Sequence, residues 1–256
     1  MKIFGNPVKR KLRDNQLVVG SWIAMSHPWV ADIMGQCGFE FLVVELEHST
    51  IELDSLNALF AVTELHSVVP LARLSGIDPV QAKRVLEAGA YGLIFPMVNT
   101  AEEARRAVDA VKYPPQGKRG FGLGRAQDFG FGSADYFAKA NDETIVILQV
   151  EHIDGVNNID AILEVEGVDA VFIGPYDLSG SLGVPGKLSD PKVVAACKRV
   201  LDAATARGIA PGMHIVHPDA ERFRQAVDDG FRFIAYGGDI LYLGESCKKA
   251  MADIDR

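Results

Sequence analysis

The chain has 256 residues, 48% of them apolar and 23% charged, enough apolar mass to bury a core without staples and too much for an intrinsically disordered chain. Lys and Arg number 26 against 34 Asp and Glu, a net charge of −8, which excludes non-specific binding to nucleic-acid backbones. No window approaches the roughly 18 consecutive apolar residues of a membrane span, and no basic amphipathic stretch suits a membrane surface. Residues 1–14 are polar and basic, with no cleavable apolar core behind them, and read as a lead-in rather than a signal peptide. Cys37, Cys197 and Cys247 have no metal-ligand spacing; they read as reduced, buried small hydrophobes in a cytoplasmic protein.

One pattern then repeats along the chain. The first apolar run spans 18–24 and is followed by a helix-period segment over 28–37. The second run, 39–45, precedes a helix over 53–66, and the third, 68–73, one over 79–88. The fourth, 92–98, leads into 101–111, after which comes a Gly-rich loop, 114–132. The fifth run is 144–150 with a helix over 156–165, the sixth 170–173 with 191–207, the seventh 210–216 with 220–229, and the eighth 231–236 with 241–254. Gly38, Gly89, Gly167, Gly208 and Gly230 each stand just past a helical stretch, where a left-handed residue is wanted. Asp78-Pro79, Asp190-Pro191 and His217-Pro218 place proline in a first helical turn.

The runs are apolar on both faces rather than alternating, as in parallel strands covered by helices. Eight strand–helix units of about 32 residues predict a single-domain α/β fold, a (β/α)8 TIM barrel over 1–256. A doubly wound open sheet competes, but the first run ends in Ala24-Met25-Ser26-His27, without a GxGxxG turn.

In such a barrel the chemistry sits at the C-terminal strand ends. Those ends carry Trp22 on the first strand and Glu45, Glu47 and His48 on the second. Arg73 ends the third, Gln149 and Glu151 the fifth, the segment from Gly174 through Tyr176 to Asp177 the sixth, and His214 lies on the seventh. Glu151 and Asp177 stand on neighbouring ends, where two carboxylates repel unless a positive charge lies between them. Oxygen ligands with open positions suit Mg²⁺ or Mn²⁺. Two solvated loop acids are the plainer alternative, as are an ion pair for Arg73 and a structural role for His48. His152 reads as structural, and Arg119 as holding the 114–132 segment as a rim loop. Metal, arginine, histidine and a glycine turn able to hold a carboxylate together point to enolate chemistry on a 2-oxo acid. No lysine ends a strand, so a Schiff base is not supported.

The chain resembles the HpcH/HpaI aldolases, metal-dependent class II pyruvate aldolases, from about residue 12 to 254. The resemblance rests on an ordered set of motifs: Gly38-Phe39-Glu40-Phe41 through Glu47-His48, Asp78-Pro79 after Arg73, Phe95-Pro96-Met97-Val98, Tyr113-Pro114-Pro115 with Arg119-Gly120 and Arg125-Ala126, Gln149-Val150-Glu151, and Val165-Glu166-Gly167-Val168-Asp169 through Ile173-Gly174-Pro175-Tyr176-Asp177-Leu178-Ser179. It implies Glu151 and Asp177 as ligands of a divalent metal, Mg²⁺ or Mn²⁺ with Co²⁺ as an alternative. It implies that Gln149 and the backbone around Gly174 hold pyruvate, that Arg73 stabilises the enolate, that His48, backed by Glu45, moves the proton, and that Trp22 lines the pocket. Glu87 matches an acid that relatives offer to a neighbouring subunit's site. A homohexamer exchanging its last helix, here 240–256, is also implied. The implied reaction cleaves a 4-hydroxy-2-oxo acid to pyruvate and an aldehyde. Three positions depart from the family pattern: Glu45 for Asp, Tyr176 for a small residue, and His214 for an apolar one. The last two point to a more polar acceptor aldehyde. A lyase or synthase using oxaloacetate or an acyl-CoA donor, and a non-catalytic barrel subunit, are the alternative readings.

Overall fold

Parallel pairing joins eight strands in sequence order, and the last pairs with the first, closing a barrel. The computed structural model describes residues 5–254; residues 1–4 of the lead-in and 255–256 of the last segment lie outside them. In chain order the elements are α1 (Pro7–Arg13), β1 (Val18–Ile23), α2 (Pro28–Gly35), β2 (Phe41–Glu45), α3 (Leu56–Leu65), β3 (Val69–Arg73) and α4 (Pro79–Ala88). Then come β4 (Gly92–Phe95), α5 (Ala101–Val111), α6 (Ser133–Glu143), β5 (Ile145–Val150), α7 (Ile153–Asn157), α8 (Ile159–Leu163) and β6 (Ala170–Ile173). The chain finishes with α9 (Pro175–Ser181), α10 (Pro191–Ala206), β7 (Ala210–Ile215), α11 (Ala220–Asp229), β8 (Phe233–Gly238) and α12 (Asp239–Ala252). The fold is the expected (β/α)8 barrel. Among the described residues no helix is long and apolar enough to cross a membrane.

The strands read as apolar throughout because each faces two cores. One face fills the interior, where Phe41 stacks on Phe233 at 4.4 Å between ring centres and Phe172 meets Phe233 edge-on at 5.9 Å. A side chain at Gly20 or Gly212 would collide with these rings, so small residues on β1 and β7 make room for large ones on their neighbours. The other face packs Leu42, Val44 and Leu148 against Phe60, Val85 and Val108 of the helical layer. All five glycines expected to stop helices have positive φ, from +68° to +119°. Asp78 and Asp190 cap their helices ahead of a first-turn proline. Pro218 does not follow suit: Asp219 is the cap of α11, so the proline precedes it.

The structure corrects several further expectations. The lead-in is a helix, α1, whose Val8 and Leu12 join the barrel-interior cluster, 1% and 2% exposed. Two apolar residues four apart on one face suffice to plug the N-terminal end. Beside them Lys9 and Lys112 both donate to the Thr144 carbonyl, at 2.7 and 2.8 Å, and Lys9 also pairs with Asp169. Burial, with the Lys9 charge adding, pulls the Lys112 pKa down to about 7.

The 114–132 segment is not on the catalytic rim. It links α5 to α6, and α6 leads into β5, so it lies on the outer wall, where Gly122 and Gly124 press on Glu87. Arg119 does anchor it, buried against the rings of Tyr113 and Tyr136 at 4.6 and 5.5 Å. The cysteines are not uniformly buried: Cys37 and Cys247 are exposed, near a helix end and on the outer helix α12, and only Cys197 is partly covered. Strand β4 stops at Phe95, since Pro96 and the left-handed Met97 turn the chain, and β8 runs two residues further than expected, to Gly238. The helix read over 156–165 is two short ones, starting at Ile153.

Candidate active site at the C-terminal mouth

A cavity of about 370 Å³ opens where the strands end. Trp22, Glu45, Arg73, Gln149, Glu151, Gly174, Tyr176, Asp177 and His214 all line it, brought together from β1, β2, β3, β5, β6, α9 and β7. His48 and Glu87 are not among its lining residues. Glu87 lies under the outer-wall loop, with one carboxylate oxygen buried and unpartnered.

Glu45 and Arg73 meet because β2 and β3 are paired in that register. Residues opposite one another on adjacent strands share a face, so both side chains enter the mouth. Arg73 Nε and Nη2 donate to Glu45 Oε2 at 2.7 and 2.5 Å, and Nη1 stands 3.2 Å from Glu47 Oε2. The guanidinium lies over the Trp22 ring, 4.8 Å from its centre. Two acids and an indole thus fix the arginine in one orientation. The other Glu45 oxygen accepts from the backbone N–H groups of Glu47 and His48, at 2.6 and 3.1 Å. Glu45 therefore orders the His48 loop and the arginine, and does not touch the imidazole it was expected to back. The nearest acid to that ring is Glu47, 3.8 Å from His48 Nε2, with the histidine side chain 66% exposed.

Glu151 is buried, and each of its oxygens has a donor: Met97 N–H at 2.8 Å to Oε1, and Gln149 Nε2 at 2.5 Å to Oε2. Burial raises its pKa, the two donors oppose the rise, and the charges of Glu47 and Asp177 add to it. Glu47 is likewise raised, by burial first, with Glu45 and Asp177 contributing and Arg73 and His48 opposing. Four acids thus share the region with one fixed arginine, which leaves it short of positive charge. A divalent cation fits that deficit, and carboxylate oxygens suit Mg²⁺ or Mn²⁺. Gln149 Oε1, buried and without a partner, is a further oxygen facing an unmet need. Among the described residues no three His, Cys, Asp or Glu are grouped to hold a metal.

Gly174 keeps the space beside Glu151 open. A Cβ there would stand 2.6 Å from Glu151 Oε2 and 2.8 Å from its Cβ, while φ of −100° is open to any residue. Gly174→Ala is therefore expected to fold with a lower Tm, since the new Cβ overpacks buried Glu151, and to lower kcat/KM about 100-fold by displacing that carboxylate. Steady-state kinetics beside a melting curve checks it; wild-type kcat/KM would contradict it.

His214 donates from Nε2 to the Gly237 carbonyl at 2.9 Å and leans on Trp22, with ring centres 5.6 Å apart. Burial lowers its pKa to about 4, so it is a neutral imidazole at neutral pH. Tyr176 is half-exposed at the lip of the cavity. His152 caps α7 through its ring, as its structural reading anticipated.

Two contributors escaped the sequence. Asp239 lines the mouth and accepts from the N–H groups of Ala24 and Met25 at 2.9 and 2.8 Å; it lies just past the last strand, beyond the predicted end at Tyr236. Met97 acts through its backbone N–H, for which side-chain type gives no signal.

A barrel with acids, an arginine and a glycine-opened turn converging on one C-terminal mouth has the layout of an enzyme active site. The model of the HpcH/HpaI aldolase/citrate lyase family matches residues 18–244. A 5-keto-4-deoxy-D-glucarate aldolase of Escherichia coli is 36% identical over 253 residues, covering 98% of this chain and 97% of that one. Among solved structures, an HpcH/HpaI aldolase/citrate lyase family protein from Burkholderia cenocepacia superposes with a TM-score of 0.92 at 31% identity, over 97% of this chain and 99% of its own. An HpcH/HpaI aldolase from Desulfitobacterium hafniense does so with a TM-score of 0.88 at 32% identity, over 96% and 97%. The chain belongs to the HpcH/HpaI aldolase/citrate lyase family and is a carbon–carbon lyase.

Proposed function

We propose that the protein cleaves a 4-hydroxy-2-oxo acid to pyruvate and an aldehyde with the help of a divalent cation. The observation that carries this reading is the convergence of Glu151, Asp177, Gln149 and Arg73 on one cavity that is rich in acid and short of cation. The aldolase relative acts on a 5-keto-4-deoxy sugar acid by its name, which is consistent with an oxo-acid substrate here.

Glu151 and Asp177 would hold the cation, Mg²⁺ or Mn²⁺ with Co²⁺ also accepted. When bound it would supply positive charge to hold the oxo acid and to stabilise negative charge on its oxygen. Gln149 and the first turn of α9 at Gly174 would orient the substrate carboxylate. Arg73, immobilised by Glu45, Glu47 and Trp22, would face the oxygen on which enolate charge develops, without reorganisation during the reaction. His48, which does not itself line the cavity, would take the proton from the 4-hydroxyl through water as the C3–C4 bond breaks, and a proton then returns to C3 to give pyruvate. Trp22 and His214 would wall the pocket, with Tyr176 at its lip and the neutral His214 favouring a polar aldehyde.

The test is pyruvate release from a panel of 4-hydroxy-2-oxo acids, before and after EDTA. Activity should vanish with chelation and return with Mg²⁺ or Mn²⁺. Turnover that persists in EDTA would overturn the mechanism, and product formed only from oxaloacetate or an acyl-CoA donor would replace the substrate.

We also propose that the working form is a homo-oligomer, a hexamer as the resemblance implies. Asp239 is the one buried residue of α12, while Ile240, Leu243 and Met251 are exposed. These exposed apolar side chains, on a helix that otherwise packs against β1 and β8 of its own barrel, support burial of its outer side between subunits. Light scattering should give a mass six times that of the chain; a monomer at micromolar concentration would contradict it.

A further inference from the structure

The turn between β4 and α5 holds one of the few non-glycine residues with positive φ, Met97 at +53°. Residues other than Gly, Asn and Asp rarely adopt this conformation, because Cβ crowds the following carbonyl. The methionine side chain is 43% exposed, so core burial does not account for the conformation. The conformation is nonetheless fixed from several directions. Asn99 Nδ2 donates to the Met97 carbonyl at 2.9 Å, and Val98 N–H donates to the Gln149 carbonyl at 3.0 Å. Asn99 N–H donates to Glu103 Oε2 at 2.7 Å, and Asn158 Nδ2 to the Asn99 carbonyl at 2.9 Å. The turn also nests on α7 where Gly155 has no side chain; a Cβ there would be 2.7 Å from the Val98 carbonyl oxygen.

Strain that surrounding contacts over-determine is retained at sites where it does a job. The result of this one is that Met97 N–H points at Glu151 Oε1 from 2.8 Å, while Gln149 holds the other oxygen. Glu151 lies on the loop that leaves β5, and no other backbone N–H is recorded on its carboxylate among the described residues.

We propose that Met97 is a positioning residue: its peptide N–H, turned inward by the left-handed conformation that Asn99 locks, orients the Glu151 carboxylate to receive a divalent cation. The inference rests on the metal reading above and adds a backbone device to it. Outer groups that orient a metal ligand are worth about 10–100-fold in affinity.

The conformation, not the side chain, is then the requirement. Met97→Gly and Met97→Asn keep a left-handed turn at low cost and should bind Mn²⁺ like the wild type. Met97→Val, β-branched and ill-suited to positive φ, should weaken Mn²⁺ binding by about 10–100-fold, and Asn99→Ala should act in the same direction. Binding is read directly from the free-Mn²⁺ electron paramagnetic resonance signal on the full chain, with Glu151→Gln as the non-binding control. Melting curves select the variants that stay folded, and Asn99→Ala replaces Met97→Val should the latter unfold. Wild-type affinity in folded Met97→Val and Asn99→Ala proteins would overturn the positioning role and leave the metal reading standing. Failure of the wild-type protein itself to bind Mn²⁺ would overturn both.

Discussion

Replacing Glu151 by glutamine is expected to abolish pyruvate release while leaving the barrel at least as stable as before in the absence of metal. The carboxylate is buried, its pKa is raised by that burial, and the charges of Glu47 and Asp177 push it further. Removing the charge relieves all three costs; a glutamine oxygen can still accept from Met97 N–H, and its amide nitrogen donates to Gln149 once that side chain turns its unpartnered oxygen inward. Lost charge stabilisation of several kcal/mol corresponds to a fall in kcat of about 10³-fold or more. Glu151→Ala should be equally inactive but less stable, by about 1–3 kcal/mol, because Gln149 Nε2 and Met97 N–H lose their partner. Denaturant titration and single-turnover kinetics separate the two effects. A Glu151→Gln protein with even a tenth of wild-type kcat would remove Glu151 from the chemistry.

The second large effect belongs to Arg73. Arg73→Ala should lower kcat by about 10²–10³-fold, the usual loss when a fixed donor to a developing oxyanion is removed. It should also cost about 3–5 kcal/mol of stability, since Glu45 is left as an uncompensated buried charge. Glu45 and Arg73 side chains are only 8% and 14% exposed, so solvent screens their pairing little. The double variant Glu45→Gln with Arg73→Ala then regains most of the stability and none of the rate. Arg73→Lys keeps the charge but cannot span Glu45 and Glu47 or lie flat on Trp22, and should fall between, at about 10–100-fold in kcat. Rates unchanged in Arg73→Lys would mean that charge alone matters and that the clamp around the guanidinium does not.

Much of this was legible in residues. Apolar runs with no alternation announced strands buried on both faces, and glycines past five of the helical stretches marked where the chain turns back. The strand-end rule collected nine of the mouth's polar, aromatic and glycine residues without knowledge of their contacts. What escaped depends on long-range packing. α1 shows only Val8 and Leu12 as an apolar face, and its place follows from the open barrel bottom, not from its own periodicity. The 114–132 segment reads as a rim loop, yet its place between α5 and α6 puts it on the outer wall. The family resemblance set Glu45 behind His48, whereas strand register pairs it with Arg73. Met97 was invisible because its contribution is a peptide N–H in a strained turn.

The central claim is that carboxylates from two adjacent strand ends grip one doubly charged ion. Crystals soaked in Mn²⁺ and pyruvate, measured at the manganese absorption edge, test it most directly. One anomalous peak should lie about 2.1 Å from oxygens of both Glu151 and Asp177, with pyruvate completing the shell and Arg73 facing its keto oxygen. A peak bound to neither carboxylate, or pyruvate seated in the mouth with no ion beside it, would contradict the account.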